Sequence, residues 1–205
     1  MTEENPGEWF DRLYVAATKG QAEIPWERPG PNFLLDEWTS SKAIDGNGLK
    51  ALVVGAGLGQ DAELLASLGF DTVAFDYSET AVGMARARHP DSPVSYTVAD
   101  LLDPPDEWRQ GFDLVFEGYT VQSLPPAYHP AASANVASFV APGGTLLVVA
   151  GTRQPDQHVD GPPWPLTPSE LEAFATGGLR TVRVDTVPVT GLRWAETARL
   201  ELRRS

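Results

Sequence analysis

Apolar positions along the chain fall into two spacings. Residues 1–8 are polar, and from Trp9 to Ala17 the residues Trp9, Leu13, Ala16 and Ala17 recur at helical spacing with Phe10 and Tyr14 beside them, which predicts a short amphipathic helix. Pro25, Pro29 and Pro31 make Ile24–Pro31 an extended loop, because each residue before a proline is pushed out of the helical region. Phe33–Trp38 starts a second helix, and Ile44–Leu49 is a turn rich in Gly and Asn. From Lys50 the pattern tightens into short apolar runs separated by helical segments. Strands are predicted over Lys50–Val54, Asp71–Phe75, Val94–Val98, Asp113–Phe116 and Thr145–Ala150. Helices are predicted over Gln60–Leu68, Ser78–Arg88 with Ser78 as N-cap, and Tyr128–Val140. A polar, proline-rich loop, Arg153–Pro165, leads to a helix over Pro168–Thr176, with Thr167 as its cap and Pro168 at its first position. Two more strands, Thr181–Val187 and Glu196–Arg203, close the chain.

Five strands alternating with helices imply a parallel sheet. The last two are joined by too short a loop for a helical crossover and pair antiparallel. The expected fold is α/β, a Rossmann-like three-layer sandwich around a mostly parallel seven-stranded sheet with an antiparallel C-terminal strand. Residues 1–49 form a helical lid or cap segment and residues 50–205 the main domain, in a single domain overall.

Composition narrows the function. The 205 residues suffice for one α/β domain with a sizeable core. With no cysteine there is no disulfide, thiolate metal site or cysteine nucleophile. A net charge of −13 argues against a nucleic-acid partner, since phosphate binding needs a basic surface, and Arg86 with Arg88 and Arg203 with Arg204 are only small basic patches. The acidic N-terminus has no apolar signal region, and no apolar run reaches membrane-spanning length. The expectation is a cytoplasmic protein without membrane attachment, a monomer or homodimer.

The most informative stretch is LVVGAGLGQDAELLASLGFDTVAFD, Leu52–Asp76: strand, glycine turn, helix, strand, acid. This is a nucleotide-binding crossover, in which glycines admit the ligand close to the backbone and the terminal acid meets ribose hydroxyls. The dinucleotide spacing wants a glycine at the sixth position; here Gln60 stands there and Gly59 comes one residue early. Asp61 and Glu63 follow in the first helical turn, where they favour the helix dipole but repel phosphate. Spacing and charge favour a cationic ligand, S-adenosyl-L-methionine, over a nicotinamide dinucleotide, and the whole strand–loop–helix–strand–acid array argues against a glycine turn without a ligand.

Val53–Val82 resembles the first two motifs of the class I S-adenosyl-L-methionine-dependent methyltransferases. VADLLDP resembles their third motif, FDLVFEGYTVQSLPP their strand-four motif and FVAPGGTLLVV their helix–strand-five motif, so the resemblance spans about Lys50–Ala150. Ile24-Pro25-Trp26-Glu27 with Pro29-Gly30-Pro31, and Gly161-Pro162-Pro163-Trp164-Pro165-Leu166-Thr167, are similar to segments of the thiopurine, halide and thiol methyltransferases. Two features depart from those relatives: Val53 stands where an acid often precedes the first motif glycine, and Thr120-Val121-Gln122 replaces an aromatic-aromatic-Cys run at the reaction centre.

The resemblance implies roles for individual residues. Gly55, Ala56, Gly57 and Gly59 pass close to the methionine portion of the cofactor, Asp76 accepts the ribose hydroxyls, and Tyr77 lies against adenine or else packs in the core. Asp100 and the Leu101 backbone serve the adenine edge. Glu117 ends strand four, where it binds the cofactor ammonium or orients the acceptor. Trp26 closes over the cofactor or plugs the gap between the amino-terminal segment and the sheet. Tyr119, Thr120, Gln122 and Trp164 are the substrate-side candidates. Where the acceptor must lose a proton, Glu117, Tyr119 and His158 are the candidate catalytic groups. Asp156, His158 and Asp160 read as a solvated loop rather than a metal site. The implied reaction is in-line transfer of a methyl group to a small-molecule acceptor, a thiol, halide or other soft nucleophile, releasing S-adenosyl-L-homocysteine. A non-catalytic cofactor-binding sensor or partner protein is the alternative.

Overall fold

The computed structural model describes residues 7–205. Two helices, α1 (Glu8–Thr18) and α2 (Phe33–Ser41), precede β1 (Lys50–Val54), α3 (Gln60–Ser67), β2 (Asp71–Asp76), α4 (Glu79–Arg88), β3 (Ser95–Val98), β4 (Phe112–Gly118), α5 (His129–Ser138) and β5 (Val140–Gly151). The short helix α6 (Pro168–Glu172) and strands β6 (Leu179–Pro188) and β7 (Glu196–Arg204) complete the order.

The strands form one seven-stranded sheet in the order β3-β2-β1-β4-β5-β7-β6. Pairs β1–β2, β1–β4, β2–β3 and β4–β5 are parallel, while β7 is antiparallel to both β5 and β6. The strand order reverses between β1 and β4, and the crevice beyond their carboxyl ends is where an open α/β sheet binds ligands. Alternation along the strands builds two cores. Leu52, Val54, Phe75, Val115 and Val148 face α5 through Ala132 and Val136. Ala51, Val53, Ala74, Leu147 and Val149 face α2, α3 and α4 through Leu35, Leu65 and Val82. Trp108 packs against the first core, its ring 4.9 Å from Phe75.

Several boundaries differ from the sequence expectation, most of all around β5 and α6. Val140 is already in register with Phe112, so β5 starts five residues before Thr145 and α5 stops at Ser138. The helix after Thr167 ends at Glu172, because residues 173–176 tighten into short-range turns before Gly177 and Gly178, both at positive φ.

The amino-terminal elements are fastened to the sheet. Trp38 Nε1 donates to Glu201 at 2.9 Å. The buried Arg199 guanidinium reaches the Leu34 carbonyl at 3.0 Å, Glu37 at 3.1 Å and Asp185 at 2.9 Å. At the other end, α1 lies against α4: Asp11 accepts from the Ser78 hydroxyl at 2.6 Å and so adds a second acceptor to the amino-terminal end of α4, where Ser78 itself caps the Ala81 amide. No helix among the described residues is long and apolar enough to cross a membrane.

Candidate active site

The turn from β1 into α3 sits at the strand-order reversal. Gly55, Gly57 and Gly59 have φ of +67°, +52° and +93°, a left-handed run that side chains resist. Two of them are also closed sterically: a Cβ at Gly55 would lie 2.2 Å from Thr120 Oγ1, and one at Gly59 2.3 Å from the Tyr96 hydroxyl. The turn is therefore wedged from behind by Thr120, whose hydroxyl donates to the Val54 carbonyl at 3.0 Å, and by Tyr96, held by Glu63 at 2.6 Å. Ala56 ties the turn to β2 by donating its amide to the Phe75 carbonyl at 2.8 Å.

Asp76 ends β2 beside this turn. Its carboxylate accepts from the Gly57 amide at 2.9 Å and the Ser78 amide at 3.0 Å, one on each oxygen. Burial pushes its pKa up against the pull of those amides. A carboxylate has about four acceptor sites, so each oxygen keeps one for a further donor, and a vicinal diol would supply two. The acids of the first α3 turn play a different part from the one their position implies. Asp61 pairs with Arg28 at 2.9 Å and accepts the Asn32 amide at 2.6 Å, while Glu63 holds Tyr96. They fasten the 24–32 loop and the turn and leave the ligand's charge to be set elsewhere.

An adjoining cavity of about 590 Å³ is lined by Glu8, Asp11, Arg12, Tyr77, Glu79, Val98, Ala99 and Asp100. Four carboxylates against one guanidinium reject a pyrophosphate and suit a neutral or cationic nucleoside. Tyr77 lines it with the Gly7 backbone pressed on its ring, and its pKa is raised by burial and then by Asp100, Glu8 and Asp11. Asp100 accepts the Leu102 amide at 2.8 Å, and the Leu101 carbonyl accepts from Asn135 at 2.9 Å. Beside the glycine turn, the buried Tyr14 brings its hydroxyl within 3.2 Å of where a Gly57 Cβ would stand. Trp26 donates to that hydroxyl at 2.7 Å and lies 6.3 Å from Trp9 and 5.7 Å from Phe10, ring to ring. Trp26 thus reaches the turn through Tyr14, which the helical pattern of α1 marks only as packing.

On the other side, the chain leaves β4 in a tight loop. Tyr119 adopts φ +64°, unusual for a residue with a side chain. Glu117, fully buried, gathers this loop: its Oε1 accepts the Thr120 amide at 2.7 Å and the Val121 amide at 2.9 Å, and its Oε2 has no partner. Burial raises its pKa to about 7 despite the two amides. Gln122 is equally buried, and its Oε1 accepts the Gly151 amide at 2.6 Å. Its carbonyl accepts the Trp164 amide, which fixes the 152–166 loop over the carboxyl ends of β4 and β5.

Trp194, on the β6–β7 connection, completes this side. Its ring covers Gly151, where a Cβ would come within 2.5 Å, and lies 5.6 Å from the Tyr119 ring. No local pattern marks Trp194, because its position depends on β7 pairing beside β5. The structure thus brings Glu117, Tyr119, Gln122, Trp164 and Trp194 together. Thr120 is turned towards the glycine loop. His158 stays apart: its ring is 90% exposed and its Nε2 lies 3.3 Å from Asp160. Among the described residues no group of three His, Cys, Asp or Glu side chains could hold a metal ion.

Residues 51–144 match the family described as methyltransferase domain. A thiocyanate methyltransferase of Arabidopsis thaliana is 28% identical over 196 residues, 89% of this chain and 83% of that one. A probable thiol methyltransferase of the same plant is 26% identical over 174 residues, 84% and 73% of the two chains. Among solved structures, magnesium protoporphyrin IX methyltransferase from Synechocystis, determined with bound S-adenosylmethionine, has the same fold: TM-score 0.74, 16% identity and full coverage of both chains. The matched segment ends where β5 gathers its register, and it contains the glycine turn, Asp76, Asp100 and Glu117. On this footing residues 51–144 carry a methyltransferase domain, and the chain has the fold of S-adenosylmethionine-dependent methyltransferases.

Proposed function

We propose that the protein transfers the methyl group of S-adenosyl-L-methionine to a small, soft nucleophile of the thiol or thiocyanate kind. The observation that carries this reading is similarity to thiol and thiocyanate methyltransferases along 84–89% of the chain. The cofactor supplies an electrophilic methyl on a sulfonium whose leaving group is a neutral thioether.

The residues divide the work. Gly55, Ala56, Gly57 and Gly59 provide the close backbone approach, Asp76 accepts the ribose diol, Tyr77 and Asp100 receive the base, and Leu101 offers its backbone. Tyr14 and Trp26 cover the turn. The wall formed by Tyr119, Trp164 and Trp194 keeps water from the acceptor, and alignment then supplies most of the rate. A soft anion needs no general base, which agrees with the absence of His158 from this group. Glu117 shapes the loop that presents Tyr119 and Gln122.

The test is an acceptor panel of aliphatic and aromatic thiols, thiocyanate and iodide, with S-adenosyl-L-homocysteine and the methylated product quantified by mass spectrometry. Turnover with sulfur acceptors is expected. Tight S-adenosyl-L-homocysteine binding without turnover on any acceptor would instead favour the sensor reading, which the replacement at Thr120-Val121-Gln122 motivates.

A further inference from the structure

The 152–166 loop is pinned at both ends and held at its tip from one place. At its base Thr152 pairs with Leu166, and the Arg153 amide donates to the Leu166 carbonyl at 3.1 Å. Arg153 Nε donates to the Pro165 carbonyl at 2.8 Å, and the Trp164 amide to the Gln122 carbonyl at 2.6 Å. Further out, among the described residues, 158–163 form two hydrogen bonds outside their own loop, and both come from Arg193. Its Nη1 donates to the Pro162 carbonyl and its Nη2 to the Asp160 carbonyl, each at 2.9 Å. Between those two carbonyls stands Gly161, covered by the Trp164 ring: a Cβ there would come within 2.3 Å of it. The residue after Arg193 is Trp194, fixed by its Nε1 donating to Thr197 at 2.9 Å and by its ring over Gly151. The Tyr119 ring lies 5.6 Å from the Trp194 ring. Arg193 therefore joins two tryptophan-bearing segments beside their tryptophans.

We propose that Arg193 is a positioning residue of the acceptor site: it clasps the tip of the 152–166 loop to the β6–β7 connection, so that the Trp164 segment closes against Trp194 and Tyr119 beyond β4 and β5. This rests on the methyltransferase reading and deepens it, because acceptor affinity then depends on a residue that touches no reacting atom. Both of its acceptors are neutral carbonyls two residues apart, while the Asp160 carboxylate faces His158. A planar guanidinium has the fork to reach both at once, whereas an ammonium is a point donor. Arg193 is exposed, so the clasp can open without disturbing the sheet beneath it. The glycine turn and Asp76 have no contact with it, which separates acceptor binding from cofactor binding.

The experiment compares the natural protein with R193Q and R193K in three measurements: thermolysin cleavage before Val159, located by mass spectrometry; S-adenosyl-L-homocysteine affinity by calorimetry; and KM for whichever acceptor of the panel is turned over. In R193Q, cleavage in the loop should become about tenfold faster and acceptor KM should rise about tenfold, with S-adenosyl-L-homocysteine affinity unchanged within about twofold. R193K, able to serve one carbonyl at a time, should fall between, and it carries the test if R193Q does not fold. Equal cleavage rates in the natural protein and both folded variants would overturn the clasp. Faster cleavage with an unchanged acceptor KM, or with an equal loss of S-adenosyl-L-homocysteine affinity, would overturn its role at the acceptor site. Turnover on no acceptor would remove the transferase reading, and cleavage would then decide the clasp by itself: faster in R193Q upholds it, equal rates overturn it.

Discussion

Asp76, largely buried, and Glu117, fully buried, both stand at the carboxyl end of the sheet, yet they should respond differently to substitution. Asp76 holds the Gly57 and Ser78 amides, and in the proposed role it also receives the ribose hydroxyls. D76A should weaken S-adenosyl-L-homocysteine about tenfold or more by calorimetry, the worth of one or two charged hydrogen bonds; an unchanged affinity would remove Asp76 from the ribose site. Glu117 is expected to show itself in the pH dependence of stability. Its pKa is raised from 4.5 to about 7, so the folded protein keeps a proton that the unfolded chain releases between those values. The stabilisation from this group is full below pH 4.5 and is lost as pH rises through 7, by about 3 kcal/mol. E117Q removes the titration. The difference in unfolding free energy between E117Q and the natural protein should therefore move in favour of E117Q from pH 5 to pH 8, and parallel curves would contradict the assignment. Glycines can be compared in the same way. Gly48 and Gly59 both have positive φ, but a Cβ at Gly48 meets nothing within 4 Å, whereas at Gly59 it strikes Tyr96. G48A should cost only the left-handed strain, about 1–2 kcal/mol. G59A should cost clearly more and should also lower cofactor affinity.

Among the elements, α6 is short and depends on its first turn. Thr167 and Glu170 form a capping box: the Thr167 hydroxyl accepts the Glu170 amide, and Glu170 accepts the Thr167 amide at 2.8 Å. The same carboxylate lies 2.8 Å from Nδ1 of the buried His129, whose Nε2 faces the Leu124 carbonyl, and 3.4 Å from Arg153. Burial opposes the charge on Glu170, but the Thr167 amide, His129 and the Thr167 hydroxyl outweigh it and hold the pKa below its ordinary value. One residue therefore joins α6, α5 and the loop after β5. T167A should destabilise by about 1 kcal/mol, the usual worth of a cap. E170A should cost at least about 2 kcal/mol, because it also strands a buried imidazole nitrogen; chemical unfolding of the two variants checks the order. The cap was readable from Thr167 and Pro168, since capping is local. The partner on α5 was not, because His129 and Glu170 are 41 residues apart and meet only through the fold.

At the scale of the molecule, the sheet was largely legible from the sequence. The alternation of apolar runs and helical segments from Lys50 onward gives β1 to β5 their order, and the short connection before Glu196 reverses β7. Local chemistry also marked the glycine turn and the acid at the end of β2. The reason first attached to Asp61 and Glu63 did not survive: they serve Arg28, Asn32 and Tyr96, and the acidic lining comes from α1, α4 and the end of β3. Tyr14 and Trp194 escaped notice because each reaches its place through long-range docking, one on α1 and the other on the β6–β7 connection. The six tryptophans are distributed in pairs by this architecture. Trp9 and Trp26 stand beside the glycine turn, Trp164 and Trp194 beyond the carboxyl ends of β4 and β5, and Trp38 and Trp108 away from both. The chain thereby carries its own optical reporters. Cofactor binding should alter emission through the first pair and acceptor binding through the second, so W26F and W194F should each silence one response and leave the other. Order of addition could then be followed by stopped-flow on an unlabelled protein, with the core pair as the internal reference.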